Sequence, residues 1–189
     1  MTRFQIPGPR SCVWRLASVF CGAMRFDGQI WFDFSSPAVW TLYRWIRQLA
    51  EARVAVDLEW LPLPKGTERA AMATFLAIED PQDRGLYLHA MFGLVHMNAM
   101  PASDVKTVQA ALEAAGLDSA VVTDAHPLLE GLRSQATELG VGAVPTLYRH
   151  GPVLSIQLNP AVLDGDPRET AKTIDAVITS DGIWELRKP

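Results

Sequence analysis

Cysteine is scarce in this chain of 189 residues: there are only Cys12 and Cys21, with eight residues between them. That spacing matches neither a Cys-x-x-Cys redox pair nor a zinc-ligand framework, and a disulfide-stapled secreted fold is not expected from two cysteines. Long apolar runs are missing as well. No window approaches the roughly 18 to 20 uncharged apolar residues that span a bilayer, which excludes a transmembrane helix and a membrane role built on one. Charge of one sign is not in excess, since 17 Lys and Arg against 21 Asp and Glu give a net charge of −4. A polybasic nucleic-acid binder is excluded on that ground. Phosphate-binding glycine loops, Gly-x-Ser-x-Gly elbows and His-Glu-x-x-His helices do not occur. His89 and His96 share a helical face, but a metal pair needs closer spacing and further ligands, so no metal is expected. What remains is 49% hydrophobic and 20% charged, a composition that buries one substantial core without staples. No internal repeat stands out, so the length suits one domain, or one domain carrying an insertion.

The first 28 residues form a net-positive leader, read as disordered, in which Arg15 and Ser18 interrupt the apolar run that a signal peptide needs. A cytoplasmic protein is expected, with secretion surviving only if the leader is cleaved. Gln29 to Phe34 is aromatic and β-branched after an Asp27-Gly28 turn signal, and reads as a buried strand. Ser36 followed by Pro37 is a helix-start signal, and apolar residues at helical spacing carry that helix to about Ala52. Val54 to Leu61 alternates apolar and polar residues and predicts a second strand, stopped by Pro62 and Pro64. Helices are predicted over Glu68 to Ile78, Arg84 to Met97, Ser103 to Ala115 and Pro127 to Leu139. That is roughly 70 residues of helix, too much for a simple crossover, so residues 62–139 read as a helical insertion. Ala143 to Arg149 and Val153 to Leu158 predict a hairpin, and Glu169 to Ile178 a closing helix. The domain proper is thus 29–61 with 140–189.

This order, strand, helix, strand, helical insertion, Val-Pro-Thr hairpin, helix, resembles a thioredoxin-like domain of the DsbA class, an α/β fold. The run Ile30-Trp31-Phe32-Asp33-Phe34-Ser35-Ser36-Pro37, followed by Trp40 and Tyr43-Arg44-Trp45-Ile46, resembles the lead-in to the first helix of those proteins. Gly151-Pro152-Val153-Leu154-Ser155, Glu169 to Asp175 and Trp184-Glu185-Leu186-Arg187-Lys188 are similar to the actinobacterial branch that contains mycothiol-dependent nitroreductases. The resemblance covers about Ile30 to Lys188. It departs from the redox members at the centre: where they carry Cys-Pro-x-Cys, Ser36 takes the place of the nucleophilic cysteine and Val39 that of the resolving one. A hydroxyl forms no mixed disulfide and valine resolves none, so dithiol exchange through this motif is ruled out.

Asp33-Phe34-Ser35-Ser36-Pro37 is also similar to the Asp-Phe-x-Ser-Pro run of glutathione-dependent 2-hydroxychromene-2-carboxylate isomerases and kappa-class glutathione transferases, whose serine contacts the glutathione sulfur. The resemblance therefore implies a low-molecular-weight thiol, mycothiol or glutathione, held at Ser35, Ser36 and Pro37 and acting on an electrophilic substrate. Ser36 is the candidate catalytic residue; its blander role is a helix N-cap. Val-Pro-Thr implies a cis-proline loop, with Pro145 in cis and the main chain of Val144 facing the cofactor. His96 is a weaker candidate for the cleft, where it would titrate near neutrality. His126 and His150 read as solvated loop residues, and Trp31, Trp40, Trp45 and Trp60 as core. Arg44, Arg47 and Lys65 are conceivable donors to a cofactor. The alternative is a redox-inactive binding or scaffold protein that meets a protein partner through the helical insertion.

Overall fold

The computed structural model describes residues 24–63, 67–149 and 151–180. Strand β1 (Arg25–Phe32) runs into helix α1 (Pro37–Glu51), and the chain returns as β2 (Ala55–Pro62), parallel to β1. Four helices follow: α2 (Arg69–Ala77), α3 (Pro81–His96), α4 (Val105–Ala115) and α5 (Pro127–Glu138). Then come β3 (Thr146–Tyr148), β4 (Val153–Ser155) and α6 (Pro167–Thr179). The sheet order is β2-β1-β3-β4, with β3 antiparallel to both β1 and β4. Central β1 is covered on both faces, which is why Ile30, Trp31 and Phe32 form an unbroken apolar run and are wholly buried.

The strand begins four residues earlier than its sequence suggests. Pairing with β2 extends from Arg25 opposite Ala55 to Phe32 opposite Pro62, and carries the chain straight through Asp27-Gly28. Gly28 is not a turn residue. It holds φ +133°, and a Cβ there would lie 2.8 Å from the Tyr148 carbonyl oxygen and 3.0 Å from Leu147 Cδ1. The close approach of β3 is what demands glycine at that position. Residues 25–28 therefore belong to the sheet and not to a leader; Cys12, Cys21 and the rest of residues 1–23 lie outside the described residues, as do Lys65, His150 and the run Trp184 to Lys188. Asp27 also anchors this end of the sheet. It meets Arg149 Nε at 2.7 Å and Arg25 Nε at 3.1 Å, while Arg25 reaches Asp57 on β2 and Arg149 reaches Asp175 on α6.

Helix boundaries shift for local reasons. Pro81 opens α3 instead of separating helices, because Asp80 accepts hydrogen bonds from the Gln82 and Asp83 amides. Asp104, and not Ser103, caps α4, which stops at Gly116 with φ +71°. His126, read from sequence as a loop residue, caps α5 by accepting from the Leu128 amide at 3.3 Å. Asp166 caps α6, which starts at Pro167. The hairpin is shorter than its apolar pattern: Pro145 has no amide to donate, so the chain joins β4 there only through Ile156 N–H to the Pro145 carbonyl, 3.0 Å.

The sheet and the inserted helices share one aromatic core. Phe32 of β1 meets Phe34, Trp60 of β2 and Phe75 of α2 edge to face, at centroid separations of 5.2, 5.4 and 5.3 Å. Phe92 of α3 completes it, 5.4 Å from Phe34 and 4.9 Å from Tyr43 of α1. Edge-to-face geometry sets the positive rim of one ring on the negative face of another, adding to the apolar burial. Among the described residues no helix is long and apolar enough to cross a membrane.

Candidate functional site

The end of β1 that leads into α1 is the focus. Ser36 sits at the N-cap with extended backbone (φ −71°, ψ 117°), and Pro37 opens the helix. The Ser36 hydroxyl accepts from the Val39 amide at 3.4 Å, a long bond for a cap. The half-buried hydroxyl thus serves as a cap without being spent by it, while Ser35 and Pro37 beside it are exposed. The Ser36 amide donates to Asp33 Oδ1 at 2.8 Å, and the Trp40 amide to the Ser36 carbonyl at 3.1 Å. Pro37 offers no N–H, so the Ala38 amide is the first-turn donor without a protein acceptor among the described residues.

The second candidate loop arrives at the same end of the sheet. The Val144–Pro145 peptide bond is cis. Thr146 directly after it pairs with Trp31, one residue short of the end of β1, so Val144 and Pro145 leave the sheet where β1 hands over to α1. Val144 is 8% exposed, and its loop is tied down by Thr146 Oγ1 donating to the Ala143 carbonyl at 2.7 Å. The sequence-derived residues Ser35, Ser36, Pro37, Val144 and Pro145 therefore belong to one rim of the molecule.

Just before Ser35, the Phe34 backbone is held at both its N–H and its C=O. Its amide donates to Glu68 Oε2 at 2.9 Å, and its carbonyl accepts from His96 Nε2 at 2.8 Å. Glu68 is 4% exposed and Asp33 5%, so two carboxylates lie buried under the start of α1. Asp33 entered the sequence reading only as part of the Asp-Phe-x-Ser-Pro run and Glu68 only as the first residue of a predicted helix, because an acidic residue by itself carries no signal of burial. His96 was singled out, weakly. A carbonyl only accepts, so His96 carries its hydrogen on Nε2 and keeps Nδ1 as the basic nitrogen. Burial holds its pKa below the ordinary histidine range, against the opposing influence of the Phe34 carbonyl bond and the Glu68 charge. Its ring stacks on Trp40, with centroids 5.4 Å apart and planes 7° from parallel. Trp40 is thus only partly core, unlike Trp31, Trp45 and Trp60. His89, one face with His96 on α3, instead meets Tyr43 and Arg47 of α1. Among the described residues no group of three His, Cys, Asp or Glu is placed to hold a metal.

No family model matches this chain, and neither does any curated protein sequence. Solved structures do. A thioredoxin-like oxidoreductase from Silicibacter pomeroyi is similar with a TM-score of 0.57 and 18% identity, over 78% of this chain and 86% of that one. The catalytic domain of Proteus mirabilis ScsC is similar at 0.57 and 13% identity, over 80% of this chain and 86% of that one. Pseudomonas aeruginosa DsbA is similar at 0.52 and 19% identity, over 79% of this chain and 80% of that one. At these identities the likeness establishes the fold: an α/β, thioredoxin-like domain of the DsbA type, with helices set between β2 and β3.

Proposed function

We propose that this chain is a DsbA-like protein without dithiol chemistry, and that it binds a low-molecular-weight thiol, mycothiol or glutathione, at Ser36 and the cis-Pro145 loop. The bound thiol then serves a reductase, transferase or isomerase reaction on an electrophilic substrate. The observation that carries this reading is the half-buried Ser36 hydroxyl at the N-terminus of α1, at the end of the sheet where the cis-proline loop also emerges. The unpaired Ala38 amide and the helix dipole favour an anion there, and an incoming sulfur would meet that amide and the Ser36 hydroxyl. The main chain of Val144 is the second contact. Asp33 and Glu68 set the opposing cost, since each disfavours a neighbouring thiolate. In this reading the protein works in the cytoplasm, where thiol cofactors are kept reduced, and needs no metal. Calorimetric titration with each thiol, on the protein and on Ser36→Ala, tests it: saturable binding weakened by the substitution supports it, and no binding at millimolar thiol sinks it.

One observation favours a second reading, a redox-inactive module that docks another protein through its inserted helices. Met97, just past α3, is 74% exposed, with Leu86 on α3 at 48% and Val105 at the start of α4 at 46%. Failure of both thiols to bind would leave Ser36 as a helix cap and redirect the search to protein partners.

A further inference from the structure

The face of α1 that leads away from Ser36 carries Trp40, Arg44 and Arg47, and α3 lays His89 beside them. Together with Tyr43 and Glu51 these residues line an open groove of about 250 Å³. Its charges are unbalanced. Arg44 and Arg47 are exposed, and among the described residues neither pairs with a carboxylate. The Arg44 guanidinium lies 5.8 Å from the centre of the Trp40 ring, which holds it over the helix face.

His89 adds a third donor. Its Nδ1 lies 2.9 Å from the Tyr43 hydroxyl and 3.5 Å from Arg47 Nη1. A guanidinium has no acceptor, so Nδ1 is the accepting nitrogen and the ring hydrogen sits on Nε2. Burial and the Arg47 charge both hold His89 below the ordinary histidine range, which keeps that tautomer neutral at pH 7. The groove is therefore lined by two guanidiniums and by a histidine ring whose hydrogen sits on Nε2, against the single carboxylate of Glu51.

We propose that this groove binds the carboxylate of a small organic ligand, paired by Arg44 and Arg47 and hydrogen-bonded by His89. With a rise of about 1.5 Å per residue, Arg44 stands about 12 Å along the helix from Ser36. An extended tripeptide spans about 10 to 11 Å end to end with its sulfur on the middle residue, so a ligand whose sulfur lies at the helix end covers only part of that distance, and the Arg44 side chain, folded back over Trp40 toward the helix N-terminus, spans the rest. That link rests on the thiol-cofactor reading; the anion chemistry of the groove does not. Glutathione carries two carboxylates and mycothiol none. The groove thus either selects glutathione or receives the carboxylate of the electrophile.

The test titrates benzoate, glutathione and glutathione diethyl ester into the protein and into the Arg44→Gln/Arg47→Gln double variant, reading calorimetry and the His89 imidazole resonances. Both arginines are exposed, so the double variant keeps its fold, checked by circular dichroism. Benzoate is expected to shift His89 and to bind the double variant roughly five- to tenfold more weakly. Glutathione binding tighter than its ester, with the difference abolished in the double variant, assigns the groove to the thiol. Equal binding of glutathione and ester, with benzoate still held, assigns it to the electrophile. Benzoate binding without any thiol binding upholds the groove and removes the thiol cofactor. An unmoved His89 at tens of millimolar benzoate, or equal benzoate affinity in the double variant, overturns the proposal.

Discussion

Two stretches of the same helix differ in how completely their polar groups are satisfied. At the Ser36 end, Asp33 accepts from the Ser36 amide, Glu68 from the Phe34 amide, and the Phe34 carbonyl accepts from His96. Only a long cap bond and the Ala38 amide leave capacity for a ligand. Two to three turns further on, Arg44 and Arg47 form no ion pair with a carboxylate among the described residues. Local chemistry has partly closed the first place and left the open electrostatics on the helix face. A protein that borrows its thiol needs a second anchor for the rest of the cofactor, and the contrast between the two stretches is what such a division of labour would produce.

The contrast is most severely broken by removing what both stretches lean on. Phe92 packs against Phe34, Trp40, Tyr43 and His96 at once. Phe92→Ala is expected to cost about 3 to 5 kcal/mol in urea unfolding and to weaken ligand binding at both places. Next comes Glu68. Glu68→Ala leaves the buried Phe34 amide without its acceptor and is expected to cost about 1 to 3 kcal/mol. Glu68→Gln keeps an acceptor and removes the charge, so stability changes by less than that while thiol binding at Ser36 tightens and benzoate binding in the groove stays as it was. Gly93 on α3 separates the two histidines, and an added Cβ there meets nothing within 4 Å. Gly93→Ala should therefore raise stability by about 0.5 to 1 kcal/mol, seen as a higher urea midpoint, and leave both binding sites unchanged.

The smallest effect is in pH. Burial holds His89, His96 and His126 below the ordinary value of 6.5, assisted by Arg47 for His89 and Arg84 for His126. Between 6.5 and the lowered folded values, the unfolded chain binds more protons than the folded one. Stability is full above about pH 7 and declines as the pH falls through that window. His96→Gln should flatten the decline in denaturant titrations from pH 7 to 5, and should also loosen the Phe34 carbonyl.

The order of elements was legible because each rests on a local signal: Ser36-Pro37 starts a helix, Pro62 ends a strand, Gly116 ends a helix, and their succession gives the α/β thioredoxin-like fold. The misjudged boundaries depend on distant partners. Gly28 reads as a turn until β3 is laid against β1, and Pro81 reads as a break until Asp80 is recognised as a cap. The candidate site divides in the same way. Ser36 and Pro145 announce themselves by sequence context, whereas Glu68 and His96 acquire their roles from the backbone N–H and C=O of one residue, Phe34, which lies 34 and 62 residues away in the chain. Nothing in the local sequence of either partner encodes that meeting.

The central claim is that Ser36 at the start of α1 receives the sulfur of a small thiol. Its most direct test is calorimetric titration of the protein and of Ser36→Ala with glutathione and with mycothiol. The account expects saturable binding of one of the two, weakened in Ser36→Ala, with a stability loss for that variant near the low end of about 0.5 to 2 kcal/mol because the cap bond is long. Absence of binding by both thiols at millimolar concentration, or affinity unchanged by the substitution, would contradict it.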